Sequence, residues 1–481
     1  MSLIFELAEA GPSSQVEPCS LSAGRLPERF LRQTPAGLPR LPEAEVVHHY
    51  TRLAQKNFCA DTHFYPLGSC TMKHNPKLGE VVSRLPGFSQ AHPLMPPKEA
   101  QGVLEALFDL QEMLCAVTKM DVASLAPMAG AQGELAAMLM TRAWHEARGE
   151  LRRQVIVPDT AHGTNPASAR MAGFEVVEVP TAEDGNIDVS TLRKALCPDT
   201  AAFMITYPST LGLFEENLEE VIALVHSAGG LVFLDGANLN ALMGFADLGA
   251  LGFDLMHINL HKTFATPHGS GGPGAGPVLS SQALSPFLPI PRVVKAKEGF
   301  FVLDSEQTSP RSIGKMGAFH GQVGVALRAW AYLRLLGEEG LRQAAKTARA
   351  NAAYLRARLV KAGFEAAYPQ RQVAHEFCLS LASLKKETGV GATEVAKRLL
   401  DKGFYAPTVH FPQKVPECLL IEPTETVSRA TLDAFVQAME DILREARENP
   451  EIVRTAPHGL PAARLDEAGA ARHPDLVWQK F

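Results

Sequence analysis

Phe253-Asp-Leu-Met-His-Ile-Asn-Leu-His-Lys-Thr-Phe-Ala-Thr-Pro-His-Gly-Ser-Gly-Gly-Pro-Gly-Ala-Gly-Pro277 decides how the rest of the chain is read. An apolar run stops at Lys262, and five glycines follow before Pro277. An isolated lysine is nearly always a solvated surface charge. Here His261, Thr263, Thr266 and His268 crowd polar groups around it, while Phe264 and Pro267 stiffen the segment. A strand that ends in a lysine holds the amine on a rigid element, and bare glycine backbone lets a flat molecule come close. Gly269, Gly271 and Gly274 also match a dinucleotide-binding fingerprint by letter. Pro273 and Pro277 stand where its helix should begin and no crossover helix follows, so that match is coincidental.

Upstream, short apolar runs alternate with helical ones: Val155–Val157, Phe174–Val179, Ala202–Ile205, Leu231–Leu234 and Leu255–Ile258. Continuous apolar strands separated by helices predict an α/β layer around a mostly parallel sheet. Val103, Leu104, Leu107, Phe108, Leu110, Leu114 and Val117 form one helical stripe ahead of it. Beyond it, helical patterns over about 323–336 and 340–361, a strand at Cys378–Leu381, a helix near 392–402 and an amphipathic helix carrying Leu432 to Leu443 predict a smaller α+β region. The expected division is an irregular arm over 1–95, a large domain over 96–325, a small domain over 326–447, and a tail over 448–481 that packs on a partner or stays loose.

With 481 residues, 46% hydrophobic and 20% charged, the composition is that of an ordinary soluble protein. A net charge of −6 without a basic block argues against nucleic acid or an anionic membrane as partner. Seven dispersed cysteines without a C-x-x-C pair suit a reducing compartment. The first residues lack a cationic stretch and an apolar core, so no signal peptide is expected; no segment approaches about eighteen consecutive apolar residues, so no transmembrane helix is expected, and the cytoplasm is the expected location.

Four of the apolar runs end in polar clusters: Pro158-Asp-Thr-Ala-His162-Gly-Thr-Asn165, Thr206-Tyr-Pro-Ser-Thr210, Asp235-Gly-Ala-Asn238 and Asn259-Leu-His261-Lys262. Open α/β sheets bind ligands beyond the carboxyl ends of their strands, so these clusters should share one crevice. Together they hold what a pyridine aldehyde such as pyridoxal phosphate needs. Lys262 offers the amine. Asp235 offers a carboxylate that keeps the ring nitrogen protonated, although Asp235 and Asn238 could instead be a helix cap or half of a metal site. His162 either lies flat on the ring or is a core histidine, and Thr210 is either a phosphate or ring-hydroxyl contact or a loop hydroxyl. Gly130, Ala131 and Gln132 open a helix whose free N–H groups suit a phosphate. His257, His261 and His268 are the alternative metal reading, but on a strand end they share no face and no metal is expected.

At this point Phe64-Tyr-Pro-Leu-Gly-Ser-Cys-Thr-Met-Lys-His-Asn-Pro76, Asp159 to Ser168, Leu234-Asp-Gly-Ala-Asn238 and His261 to Pro277 closely resemble the P-protein family of the glycine cleavage system. The resemblance covers nearly the whole chain and fits the lysine-bearing C-terminal half. It implies the type I fold of the aspartate aminotransferase class, with Lys262 bonding the cofactor aldehyde, His162 stacking on the ring and Asp235 facing its nitrogen. It further implies a companion subunit without the lysine in an α2β2 heterotetramer, glycine as substrate, and the lipoyl arm of an H-protein as acceptor of the aminomethyl group. Ser69, Thr71, Lys73, His74 and His268 are candidate substrate contacts, and His261, His268 or His74 candidate proton donors. A stand-alone decarboxylase or aminotransferase, and a scaffold subunit without catalysis, are the competing readings.

Overall fold

The computed structural model describes residues 3–7, 27–31, 39, 41–268 and 274–476; Gly269, Gly271 and the rest of 269–273 lie outside the described residues. Seven strands form the large sheet: β1 (Val122–Ser124), β2 (Gln154–Pro158), β3 (Glu175–Val179), β4 (Thr200–Thr206), β5 (Leu231–Gly236), β6 (Leu255–Ile258) and β7 (Val278–Ser280). Their order is β1-β7-β6-β5-β4-β2-β3, with β3, β2, β4, β5 and β6 mutually parallel and β7 antiparallel to both neighbours. The expected α/β fold with a mostly parallel sheet is therefore present.

Side-chain alternation explains why the central strands are apolar throughout. Phe203 and Ile205 of β4, with Val232 and Leu234 of β5, enter one core with Leu104 and Leu107 of the helix Pro97–Thr118. Ala202 and Met204, with Leu231 and Phe233, enter the opposite core with Met138 of the helix Gly130–Ala147. Period-two alternation thus buries both faces. The sheet is covered by helices on each side, and only the strand ends are left for polar chemistry.

A hairpin of β8 (Val293–Lys295) and β9 (Phe301–Leu303) follows, then the helix Val323–Lys361, broken at Gly337 with φ 60° and ψ −174°. Glycine adopts that backbone without the Cβ clash that other residues would suffer. The small sheet is antiparallel: β10 (Glu365–Ala366), β11 (Phe377–Ser380), β12 (Thr408–Val409) and β13 (Cys418–Ile421), in the order β10-β11-β13-β12. The amphipathic helix Arg429–Glu448 covers it through Phe435, Met439 and Ile442.

Two segments are more ordered than their sequence suggests. The arm contains the helices Glu43–Ala54 and Lys77–Ser83, and its Leu67 bridges Ile421 of β13 while Phe64 enters the small-sheet core. Beyond 448, the helix Pro450–Arg454 buries Val453 completely in that same core, so this part of the tail packs on its own chain. No helix among the described residues is long and apolar enough to cross a membrane.

A candidate cofactor site at the strand ends

The four polar clusters converge. A cleft of about 540 Å³ is lined by Gly130, Ala131, His162, Thr206, Thr210, Asp235, Asn238, Asn259, His261, Lys262 and His268, with Ser69 from the arm. Lys262 sits one helical turn past β6, on Leu260–Thr263, and not on the strand end itself. Among the described residues its Nζ makes no hydrogen bond or ion pair, which leaves the amine available to a partner in the cleft.

Asp235 is the last acidic group of β5 and lies beside His257 of β6 in the parallel register. It is 2% exposed. Its Oδ2 accepts from Asn165 Nδ2 at 3.0 Å and Thr206 Oγ1 at 3.1 Å, and its Oδ1 from the Ala237 N–H at 3.0 Å. Burial alone would push its pKa up, but His257, Asn165 and Ala237 outweigh burial and hold the carboxylate below its usual range. Asp235 is thus fixed as an anion facing a cleft that also holds an amine.

The helix Gly130–Ala147 begins at the cleft. Its first N–H groups have no carbonyl four residues back, so they and the helix dipole favour an anion. Close backbone packing shapes this corner: a Cβ on Gly130 would stand 2.2 Å from Asn259 Nδ2, and one on Gly276 would stand 2.1 Å from Ala129 O. Gln132 does not reach the cleft. Its Oε1 accepts from the Met128 N–H at 2.7 Å and its Nε2 donates to Met316 O at 2.8 Å, bracing the turn that presents Gly130 and Ala131.

His162 lies in the cleft with Nδ1 2.7 Å from Thr164 Oγ1, which is 2.9 Å from Glu134 Oε1. Burial and then Lys262 lower the His162 pKa. Burial and then Asp235 push Glu134 up to about 8. Thr164 Oγ1 donates to Glu134 Oε1, and the Thr164 N–H donates to His162 Nδ1 at 3.3 Å, so a neutral His162 keeps its proton on Nε2. Glu134 was missed in the sequence because it reads as an ordinary helix glutamate. Its proximity to Asp235 appears only in three dimensions.

The remaining candidates divide. Thr210 lines the cleft but donates to Thr160 O at 2.7 Å, and Asn238 donates to Pro208 O at 2.9 Å. His261 and His268 meet edge to face at 4.8 Å between ring centroids. Burial, with His268 and Lys262, pushes His261 down to about 3, and burial then Lys262 lowers His268. His257 bonds Asn259 instead, at 3.0 Å, and the three histidines do not gather into one ligand set.

Lys73 and His74 lie outside the cleft. Lys73 is 3% exposed, and its Nζ donates to Glu425 Oε1 and Thr263 O at 2.7 Å and to Asn240 Oδ1 at 2.8 Å. The ammonium is consumed by an internal ion pair. His74 is a surface residue beside Asp61 at 3.3 Å. Thr71 is buried, and its N–H donates to Glu422 at 2.9 Å. Ser69 alone of this segment faces the cleft.

Comparison with known proteins agrees with this architecture. Residues 344–458 match the family model for the glycine dehydrogenase C-terminal domain, and residues 130–275 match the aminotransferase class-V model. A probable glycine dehydrogenase (decarboxylating) subunit 2 of Methylococcus capsulatus is 57% identical over 455 residues, covering 94% of this chain and 93% of the relative. One from Nitrosococcus oceani is 54% identical over 480 residues, covering 99% of each. The crystal structure of an inhibitor-bound glycine decarboxylase (P-protein) of the glycine cleavage system superposes with a TM-score of 0.73, covering 91% of this chain and 97% of that one at 24% identity, and so shares the fold. With full-length identity well above that needed to fix a family, and the lysine, aspartate and helix start gathered in one cleft, the chain belongs to the glycine dehydrogenase (decarboxylating) subunit 2 family.

Proposed function

We propose that this chain is the pyridoxal-phosphate-bearing subunit of a two-subunit glycine decarboxylase that passes an aminomethyl group to the lipoyl disulfide of an H-protein. The observation that carries the cofactor reading is the pairing across β5 and β6. An anionic Asp235 and an unpartnered Lys262 amine occupy neighbouring strand exits of one cleft, and a helix N-terminus faces them.

The residues present fit the group. Lys262 would bond the aldehyde, Asp235 the ring nitrogen, the N–H groups at Gly130 and Ala131 the phosphate, and His162 one ring face. When bound, the cofactor supplies an electron sink for the pair left on the glycine carbon as CO₂ departs. The protein does the rest. Asp235 keeps a proton on the ring nitrogen by staying ionised itself. The neutral His162 would lie against one ring face without adding a charge. Burial of the cleft floor excludes water that would quench the electron-rich carbon.

The designation of the relatives as subunit 2 implies a subunit 1 as partner. We extend this to an α2β2 assembly with an H-protein acceptor, supported by the resemblance of the Phe64–Pro76 motif. Lys262→Ala tests the core of the reading in the purified two-subunit complex. The visible absorbance of the lysine-bound cofactor and glycine–bicarbonate exchange should both vanish while the circular dichroism spectrum stays. Retention of either would reject the assignment. Exchange or turnover without any lipoylated protein would instead favour a stand-alone decarboxylase.

A further inference from the structure

Behind the cleft floor lies a second polar cluster that nothing above assigns: His375, Glu376 and Glu422, each 0% exposed. Their possible ligand atoms lie within 4.8 Å of one another. We propose that Glu376 and Glu422 together store one proton beneath the cleft, and that Ser69 Oγ passes it to the sulfur leaving group of the transfer step. The inference rests on the reading under Proposed function.

The geometry supplies a path. Glu376 precedes β11 and reaches under the arm: its Oε2 accepts from the Ser69 N–H at 2.6 Å, and Oε1 and Oε2 lie 3.3 and 3.5 Å from Ser69 Oγ. Asn238, three residues after Asp235, approaches Oε1 at 3.4 Å. Ser69 and Asn238 also line the cleft, and of the two Ser69 carries the hydroxyl that can relay a proton. Ser69 and Thr71 both hold left-handed backbone, φ 60° and 48°, which aims their N–H groups at Glu376 and Glu422 respectively. Such residues cost about 1–2 kcal/mol each, so the turn is held for a purpose by what surrounds it.

Two carboxylates this close in a dry site strongly resist being ionised together, so the pair holds one proton at rest and reclaims it quickly after giving it up. Burial and then Glu422 keep the Glu376 proton well above the usual carboxylate range, and burial holds Glu422 up to about 7. The other charged or titratable groups facing the pair are Lys262 from the turn after β6, Cys70 from the arm, Glu425 beyond Glu422, and His375 and Cys378 on their own segment. Lys262 favours the anion that would remain after proton loss. His375 is no rival donor, because burial pushes it down to about 3 and holds the ring neutral, with Nε2 3.7 Å from Glu422 Oε1 and beyond hydrogen-bond distance. His261 and His268 are likewise held neutral by burial, and His74 is at the surface.

The step balances. Loss of CO₂ leaves an electron pair on the glycine carbon. That carbon forms a C–S bond to one sulfur, the S–S bond breaks, and the second sulfur leaves as thiolate. The Glu376 proton moves to Ser69 Oγ, and the Ser69 hydroxyl proton moves to the thiolate, giving a thiol. Glu376 is left as a carboxylate, and it regains from solvent the one proton that the overall reaction consumes.

The test uses the two-subunit complex. The infrared difference spectrum of cofactor-free wild-type minus Glu376→Gln complex should contain a carboxylic-acid C=O band that shifts in D₂O, with the Glu134 contribution cancelling. Glutamine still accepts from the Ser69 N–H, so the loop is retained. The loaded Glu376→Gln complex should keep its glycine-induced spectral change and unchanged glycine KM, while aminomethyl transfer falls about 10²–10⁴-fold, the size of a general-acid contribution, and loses its alkaline pH limb. Ser69→Ala should keep the infrared band and lose transfer. An unchanged infrared spectrum in Glu376→Gln, a wild-type transfer rate, or equal loss of glycine binding and transfer would each overturn the proposal. So would saturable Mn²⁺ binding by wild type that Glu376→Gln abolishes, since a cation there displaces the proton. The band is read without cofactor, so its absence is separable from failure of the Lys262 assignment.

Discussion

Lys73 gives the sharpest quantitative test, because its sequence context suggests substrate contact whereas its surroundings make it structural. Its side chain is 1% exposed and that of Glu425 8%, with 2.7 Å between them. Burial alone would lower the lysine pKa, yet Glu425 and Tyr332 reverse that and raise it. Lys73→Met leaves the Glu425 carboxylate almost dry, with the Tyr332 hydroxyl and Asn240 Nδ2, the latter at 3.4 Å, as its remaining donors. Breaking a buried pair in this way costs about 3–5 kcal/mol, whereas removing both charges is close to neutral. Lys73→Met/Glu425→Gln should therefore recover about 2 kcal/mol or more of the loss. With a urea slope of about 3 kcal/mol/M, the single variant shifts the unfolding midpoint down by about 1 M or more at unchanged slope. Circular dichroism against urea at pH 7 measures both. A single-variant cost below about 1 kcal/mol, or a double variant no better than the single, would refute the reasoning. Loss of glycine binding at full stability would return Lys73 to a substrate role.

Two further outcomes follow from the cleft. Asp235→Asn should keep the fold and the lysine-bound cofactor, yet lower decarboxylation about 10²–10³-fold by removing the charge opposite the ring nitrogen; a near-wild-type rate in a single-turnover assay would reject that role. Glu134 binds its proton more tightly folded than unfolded, with a folded value of about 8 against an ordinary 4.5. Across that window the native state holds more protons, so stability falls as pH rises from 4.5 to 8 and levels off above. Glu134→Gln should flatten this slope in melting temperatures taken across pH, and an unchanged slope would place the titration elsewhere.

The residues differ in how legible they were. Strand runs such as Phe203 to Ile205 announce themselves because both faces are buried, leaving no polar position to break the pattern. Asp235 and Lys262 were readable because each follows such a run directly, and strand ends in a parallel sheet share one edge. Short edge elements were not. β1 and β7 have three residues each, too few to show a period, and Pro277 sits directly before β7. The helix Glu43–Ala54 is hidden because His48, His49, Tyr50 and Thr51 dilute its stripe and ten of its twelve residues are exposed. Glu376 and Glu422 were invisible for another reason. A glutamate beside an apolar strand reads as a solvated end, and only the arm folding over both makes them interior. Lys73 misled for the same reason, since its partner Glu425 is 352 residues away.

That separation has a consequence for assembly. Ser69 and Glu376 are 307 positions apart, and Thr71 and Glu422 are 351 apart. A ribosome makes the arm first and its anchors last. Until residue 422 has left the exit tunnel, the arm has no β13 to lie on, and the nascent cofactor domain carries a half-built pocket open on one side. The catalytic cavity is therefore finished late in the life of the growing chain, so a polypeptide stopped short of β13 cannot present a sealed one.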